Sequence, residues 1–219
     1  FENREANAGR KIALNIAVIP SVSANPQPEP IVFFAGGPGQ AAVKLGHVAL
    51  YILQKARRER EIILVDQRGT GKSNALDCND KNKNLSLAEK LVDPDSTKQM
   101  QSCLQKLDAA PEHYTTPNAV ADLEDVRAAL GYDKLNLFGV SYGTRMALSY
   151  LRAHPQHVRS VVLDGVAPTA IKLPLHFGRD AQGALQRTID DCMKNADCKK
   201  LAPDLQQDVL QISAALEKS

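Results

Sequence analysis

No stretch of this 219-residue chain is apolar for the roughly 18 to 20 residues that a membrane-spanning helix needs. Charge of one sign is scarce as well: 27 Lys and Arg against 25 Asp and Glu leave a formal net charge of +2, too little for a nucleic-acid surface. The densest basic run, KARRER at 55–60, contains a glutamate and reads as a solvated helix end. Cysteines in the paired C-x-x-C spacing of zinc sites are missing, and no histidine stands at ligand spacing beside Cys78, Cys103, Cys192 or Cys198, so a cysteine metal site is not expected. There is no internal repeat, no legible signal peptide and no initiator methionine. The opening FENREANAGR is what a cleaved leader or a trimmed chain would leave.

One further absence concerns DQRGTGKS at 66–73. Its second half imitates a phosphate-binding loop, which requires G-x-x-x-x-G-K-[ST] so that successive backbone N–H groups can cradle phosphates. Five places before Gly71 stands Asp66, not glycine, and a carboxylate there would repel a phosphate. Nucleotide binding is set aside.

What is present is 43% hydrophobic content, enough for one substantial core plus an appendage. The even cysteine count, with two sequence-local pairs, fits disulfides Cys78–Cys103 and Cys192–Cys198 and hence an oxidising compartment. The alternative is four reduced, partly buried cysteines in a cytosolic protein. Strand signals occur at 11–20, 31–34 and 61–66, with a loosely periodic helix at 41–56. A polar excursion of some forty residues follows, carrying KNKNLS at 81–86 and a short helix at 98–107. Thr116 and Pro117 start the next helix, Val120, Leu123, Val126 and Leu130 share one face of it, and Gly131 stops it. Strand, helix and strand then follow at 134–140, 142–154 and 158–166. Repeated strand-helix-strand units predict a mostly parallel sheet with helices on both faces. Beyond Pro174 only helices are predicted, one with Leu185, Ile189 and Met193 on a face, another with Leu205, Val209, Ile212 and Leu216. The expected division is a core at 1–173 and a helical appendage at 174–219.

The most specific chemistry is GVSYG, from Gly139 to Gly143, which matches G-x-S-x-G between a predicted strand and helix. Ser141 would occupy a strained turn that exposes its hydroxyl, with the glycines letting the backbone pass. The following helix N-terminus would favour a developing oxyanion. Acyl transfer also needs two N–H groups aimed at the substrate carbonyl, and AGGPGQ at 35–40 supplies the second loop. The donors are expected to be Gly37 and Tyr142.

GGPG, DQRGTGKS, GVSYGTR and VVLDGV, in this order and at these separations, resemble the proline iminopeptidase and tripeptidyl aminopeptidase group of α/β-hydrolases over residues 31–168. The cysteine pairs and YLRAHPQHVRSVVLDGVAP resemble the secreted tripeptidyl aminopeptidase-like branch. The resemblance implies an α/β-hydrolase fold in which residues 174–219 begin the helical cap and the last strands lie beyond the chain. It implies a serine aminopeptidase releasing short N-terminal peptides, or a carboxylesterase on the same fold, or, with parts missing, an inactive fragment or binding module. It further implies that the DQRG turn closes the strand beside the nucleophile strand, so that Asp66 and Arg68 support the active-site floor. Lys72 and Ser73 are then plain turn residues.

A serine nucleophile needs a histidine base oriented by a carboxylate, and in this family both follow the cap. Of the five histidines, His47, His113, His154 and His157 read as surface residues; His176 is the one on roughly the right side. Asp164, ending a strand, reads as a loop-pinning residue. The base and acid are therefore expected in a C-terminal part of the same enzyme, and this chain alone is expected to be inactive. No metal or organic cofactor is implied, since serine, base and oxyanion donors suffice. The partner expected is a peptide or ester substrate, not nucleic acid or membrane, with the protein secreted or periplasmic.

Overall fold

The computed structural model describes residues 1–78, 96–172 and 174–216. The KNKNLS run and Leu173 lie outside the described residues. A five-stranded sheet is built from β1 (Ile16–Ile19), β2 (Ile31–Phe34), β3 (Ile62–Val65), β4 (Leu135–Val140) and β5 (Val158–Asp164). Its order is β1-β3-β2-β4-β5. β1 runs antiparallel to β3 and every other pair is parallel. Parallel neighbours need crossovers, and the helices that supply them cover the faces.

Strand alternation divides the core in two. Val32, Phe34, Ile63, Leu135 and Leu137 point to one face, where they meet α3 (Thr116–Ala129) through Val120 and Leu123 and α4 (Tyr142–Ala153) through Met146, Ala147 and Tyr150. Ile31, Phe33, Ile62 and Leu64 point to the other face and meet Ala49 and Leu53 of α1 (Gly46–Ile52) and its C-cap. Phe33 and Phe138, paired across β2 and β4, stack on that side with ring centroids 6.0 Å apart. β5 closes the described sheet, and Ser160, Val162 and Asp164 on one of its faces are exposed.

Three local expectations are corrected. The helix predicted over 41–56 is reduced to α1, flanked by single 3-10 turns; ahead of it the Val43 N–H donates to the Asp66 carboxylate at 2.9 Å. The helix predicted from Thr116 has Thr115 as its N-cap, and the Thr116 hydroxyl instead pairs with the Tyr142 hydroxyl at 2.9 Å. Leu130 is the C-cap of that helix and is 40% exposed, so it does not share the buried face of Val120, Leu123 and Val126, although Gly131 does take the left-handed conformation that ends the helix. In the polar excursion, α2 spans Ser96–Lys106 and carries Cys103, which is disulfide-bonded to Cys78.

The chain divides into two compact units, Phe1–Thr169 and Ala170–Ser219, a few residues ahead of the boundary expected from sequence. The second unit holds α5 (Phe177–Lys194), α6 (Ala196–Leu201) and α7 (Leu205–Leu216). The Cys192–Cys198 disulfide and the Asn195 side chain, which caps α6 by accepting from the Cys198 N–H at 2.9 Å, fix the corner between α5 and α6. Ile189 and Cys192 are buried there, whereas Leu185, Ile212 and Leu216 are exposed. Among the described residues no helix is long and apolar enough to cross a membrane.

Candidate active site

Ser141 stands between the end of β4 and the start of α4 with φ 54° and ψ −120°, a conformation costing on the order of 1–3 kcal/mol for a non-glycine residue. The surroundings hold it there. Its N–H donates to the Asp164 carbonyl at 2.9 Å, tying the turn to the end of β5. Its carbonyl accepts from both the N–H and the hydroxyl of Thr144, at 3.0 and 2.7 Å. Thr144 is fully buried, and its Oγ1 in turn accepts from the Ala167 N–H at 2.8 Å. The two glycines are needed for space. A Cβ on Gly139 would come within 2.5 Å of the Gly143 carbonyl oxygen, and one on Gly143 within 2.2 Å of the Phe34 carbonyl oxygen. The serine side chain itself is exposed.

The AGGPGQ loop leaves the adjacent strand, β2. Gly37 has φ 103°, open to glycine, and precedes a cis proline. The glycine packed on the nucleophile is Gly36, which sequence reasoning passed over: a Cβ there would lie 3.2 Å from the Ser141 Cβ. The Gly36 N–H donates to the Gln40 side-chain oxygen at 3.1 Å and is therefore occupied. Neither the Gly37 nor the Tyr142 N–H donates to a protein acceptor among the described residues.

The DQRG turn borders the glycine loop, and its place in the sheet carries one correction. β3, which delivers it, is not beside the nucleophile strand, because β2 lies between β3 and β4. Asp66 is 1% exposed and accepts from the Val43 N–H, the Asn15 side-chain amide and the Lys72 N–H, at 2.9, 2.8 and 3.1 Å. Gly71 faces that carboxylate so closely that a Cβ would be 2.2 Å from Oδ2. The apparent phosphate loop is thus a turn folded around its own aspartate. Ser73, fully buried, accepts from the Asn15 N–H at 2.8 Å.

Arg68 is buried and makes a two-pronged pair with Asp122 of α3, Nε to Oδ2 at 2.6 Å and Nη2 to Oδ1 at 2.7 Å. Its Nη1 donates to the carbonyls of Glu2 and His113, both at 2.9 Å. Arg4 adds a second guanidinium on Asp122 at 2.7 Å. Asp122, Arg4 and Glu2 carried no signal in the sequence, because each lies more than fifty residues from Arg68 or has a carbonyl as its contact. A cavity of about 40 Å³ is lined by Gly36, Gln40, Asp66, Gln67, Arg68 and Asp122, among others.

No histidine among the described residues hydrogen-bonds Ser141. His154 and His157 follow the far end of α4, about 18 Å along the helix from the serine. His47 lies in α1, the His113 carbonyl serves Arg68, and His176 is the N-cap of α5 in the second unit. At the far end of α4, Glu124 takes hydrogen bonds from Arg127, from the Tyr150 hydroxyl at 2.7 Å and approaches His157 at 3.0 Å. Arg127 above all holds the Glu124 carboxyl down to about 2. Burial and the Glu124 charge push the Tyr150 phenol up.

Comparison with known proteins agrees with this arrangement. A family described as the α/β-hydrolase fold matches residues 29–215. The chain belongs to that family. Serine protease Hip1 of Mycobacterium tuberculosis is 36% identical over 185 residues, covering 77% of this chain and 36% of the relative. Tripeptidyl aminopeptidase of Streptomyces lividans is 29% identical over 150 residues, 62% of this chain and 28% of the relative. The chain thus spans about a third of the length of the curated relatives it matches. Among solved structures, the α/β-hydrolase MGS-M2 from a Medee basin deep-sea metagenome library covers 95% of this chain and 62% of its own at a TM-score of 0.50 and 14% identity, a likeness of fold. As in other members of the α/β-hydrolase fold, a serine sits at a strand-to-helix turn beside a glycine loop.

Proposed function

We propose that this chain is the nucleophile-bearing portion of a serine aminopeptidase that releases short N-terminal peptides. The observation that carries the reading is Ser141, an exposed serine at φ 54° held between β4 and α4 by packing that only glycine permits at 139 and 143. In the reaction, Ser141 Oγ attacks the scissile carbonyl while a histidine base takes its proton. The oxyanion accepts from the Gly37 and Tyr142 N–H groups, the amine leaves with that proton, and water then hydrolyses the acyl-enzyme. The base and its carboxylate are assigned to polypeptide outside residues 1–219, because no described histidine bonds to Ser141. Residues 1–219 alone would then be inactive. The peptidase relatives favour an amide substrate over an ester. The two disulfides favour a secreted or periplasmic protein.

The test is turnover by the full-length gene product on tripeptidyl anilides, single-residue anilides and an aryl ester of matched leaving group, with Ser141→Ala alongside. The reading expects tripeptide release, lost by at least about 10³-fold in the variant. Ester turnover without anilide turnover would make it an esterase, and turnover unchanged by Ser141→Ala would remove the serine from the mechanism.

A further inference from the structure

Glu124, His154 and His157 meet at the far end of α4, where α3, α4 and the Pro155–His157 turn pack together. One ligand-capable atom from each lies within 4.8 Å of those of the other two. His157 Nδ1 stands 3.0 Å from Glu124 Oε1, yet the approach lacks hydrogen-bond geometry. This enclosed nitrogen therefore has no hydrogen-bond partner among the described residues. Two ligands on one tetrahedral ion with bonds of about 2.0–2.2 Å stand roughly 3.3–3.5 Å apart, so this pair is already near the required separation. The His154 ring lies nearly parallel to that of His157, 9° between planes and 6.2 Å between centroids, and packs on Tyr150 at 5.2 Å.

The carboxylate is held by hydrogen bonds on both oxygens: Oε2 accepts from the Tyr150 hydroxyl at 2.7 Å and Arg127 Nε at 3.0 Å, and Oε1 from Arg127 Nη2 at 2.6 Å and Nε at 3.2 Å, so an ion would share oxygens that already have donors. The Arg127 charge opposes a cation, which sets affinity below that of a buried structural site. Two imidazoles with one carboxylate suit a borderline ion better than magnesium or calcium, which prefer oxygen alone.

We propose that Glu124, His154 and His157 form a binding site for Zn²⁺ or a similar borderline divalent ion, with water completing the coordination shell. Bound there, the ion clamps α3 to the turn that enters β5, some 18 Å along α4 from Ser141, so the site is structural or regulatory and independent of the hydrolase reading.

The experiment is calorimetric titration of the untagged, chelator-treated full-length protein with ZnCl₂, repeated on His154→Ala and His157→Ala. Saturable binding of one equivalent, weakened at least about tenfold by each substitution, is the expected result. Lack of one-equivalent binding, or affinity unchanged in either variant, overturns the proposal. Should a variant fail to fold, imidazole nitrogen shifts of the unmodified protein decide: Zn²⁺ must move the ring signals of both His154 and His157, and an ion that moves neither or only one is bound elsewhere.

Discussion

The two ends of α4 are built on opposite principles. At its start, Ser141 is exposed, its backbone is in a disfavoured conformation, and the adjacent Tyr142 and Gly37 amides have no protein acceptor among the described residues. At its other end Tyr150 is wholly buried and its hydroxyl joins Glu124, Arg127 and His157 in one polar cluster. Between them Met146 and Ala147 are sealed into the core. Strain at the serine is sustained because the rest of the helix, packed into the core, cannot move to relieve it. Elsewhere in the same unit, the wholly buried Arg68 is paired with Asp122, whereas the side chains of the Glu124 cluster are about a fifth exposed.

Breaking the strained end outright should have the largest effect. Gly143→Val drives a side chain into the Phe34 carbonyl, and we expect destabilisation above about 4 kcal/mol, seen as lost soluble protein or a collapsed urea midpoint. Stability near that of the unmodified protein would mean that the turn is not sterically determined. Asp122→Ala comes next, at about 3–5 kcal/mol, because it leaves the Arg68 guanidinium buried without its partner. Glu124→Gln at the other end should cost clearly less at neutral pH, since an amide oxygen can still accept and Arg127 keeps its bond to the Tyr132 carbonyl. Equal losses in urea melts would erase the contrast between the two supports.

The smallest effect is in acid. The folded Glu124 carboxyl titrates at about 2 against an ordinary 4.5. Its stabilisation is thus fully present above about pH 4.5 and is lost as pH falls towards 2. The contribution is at most about 3 kcal/mol and less after allowing for solvent screening. Urea melts from pH 6 to 2.5 should show a shallower decline for Glu124→Gln than for the unmodified protein, and parallel curves would contradict the shift.

The sheet and the serine turn were legible because their signals are contiguous. IVFF and EIILVD give buried strands outright, and GVSYG carries its steric requirement within five residues. What escaped is what long-range packing decides. Nothing local distinguishes Gly36, which abuts Ser141, from Gly37, and the Arg68–Asp122 pair spans 54 residues. Periodicity marked the apolar faces of α5 and α7 but not that Leu185, Ile212 and Leu216 are exposed. The carboxylate that takes the Val43 amide lies 23 residues downstream. The strand order that inserts β2 between β3 and β4 likewise has no sequence signature.

The central claim is that the turn between β4 and α4 makes Ser141 the nucleophile. The direct measurement is mass-spectrometric mapping of the full-length protein after reaction with a fluorophosphonate, which phosphonylates an activated serine hydroxyl and releases fluoride. One adduct per molecule is expected, on the peptide carrying Ser141, and none in Ser141→Ala. An adduct on any other serine, or an unlabelled Ser141 in protein that hydrolyses its substrate, would contradict it.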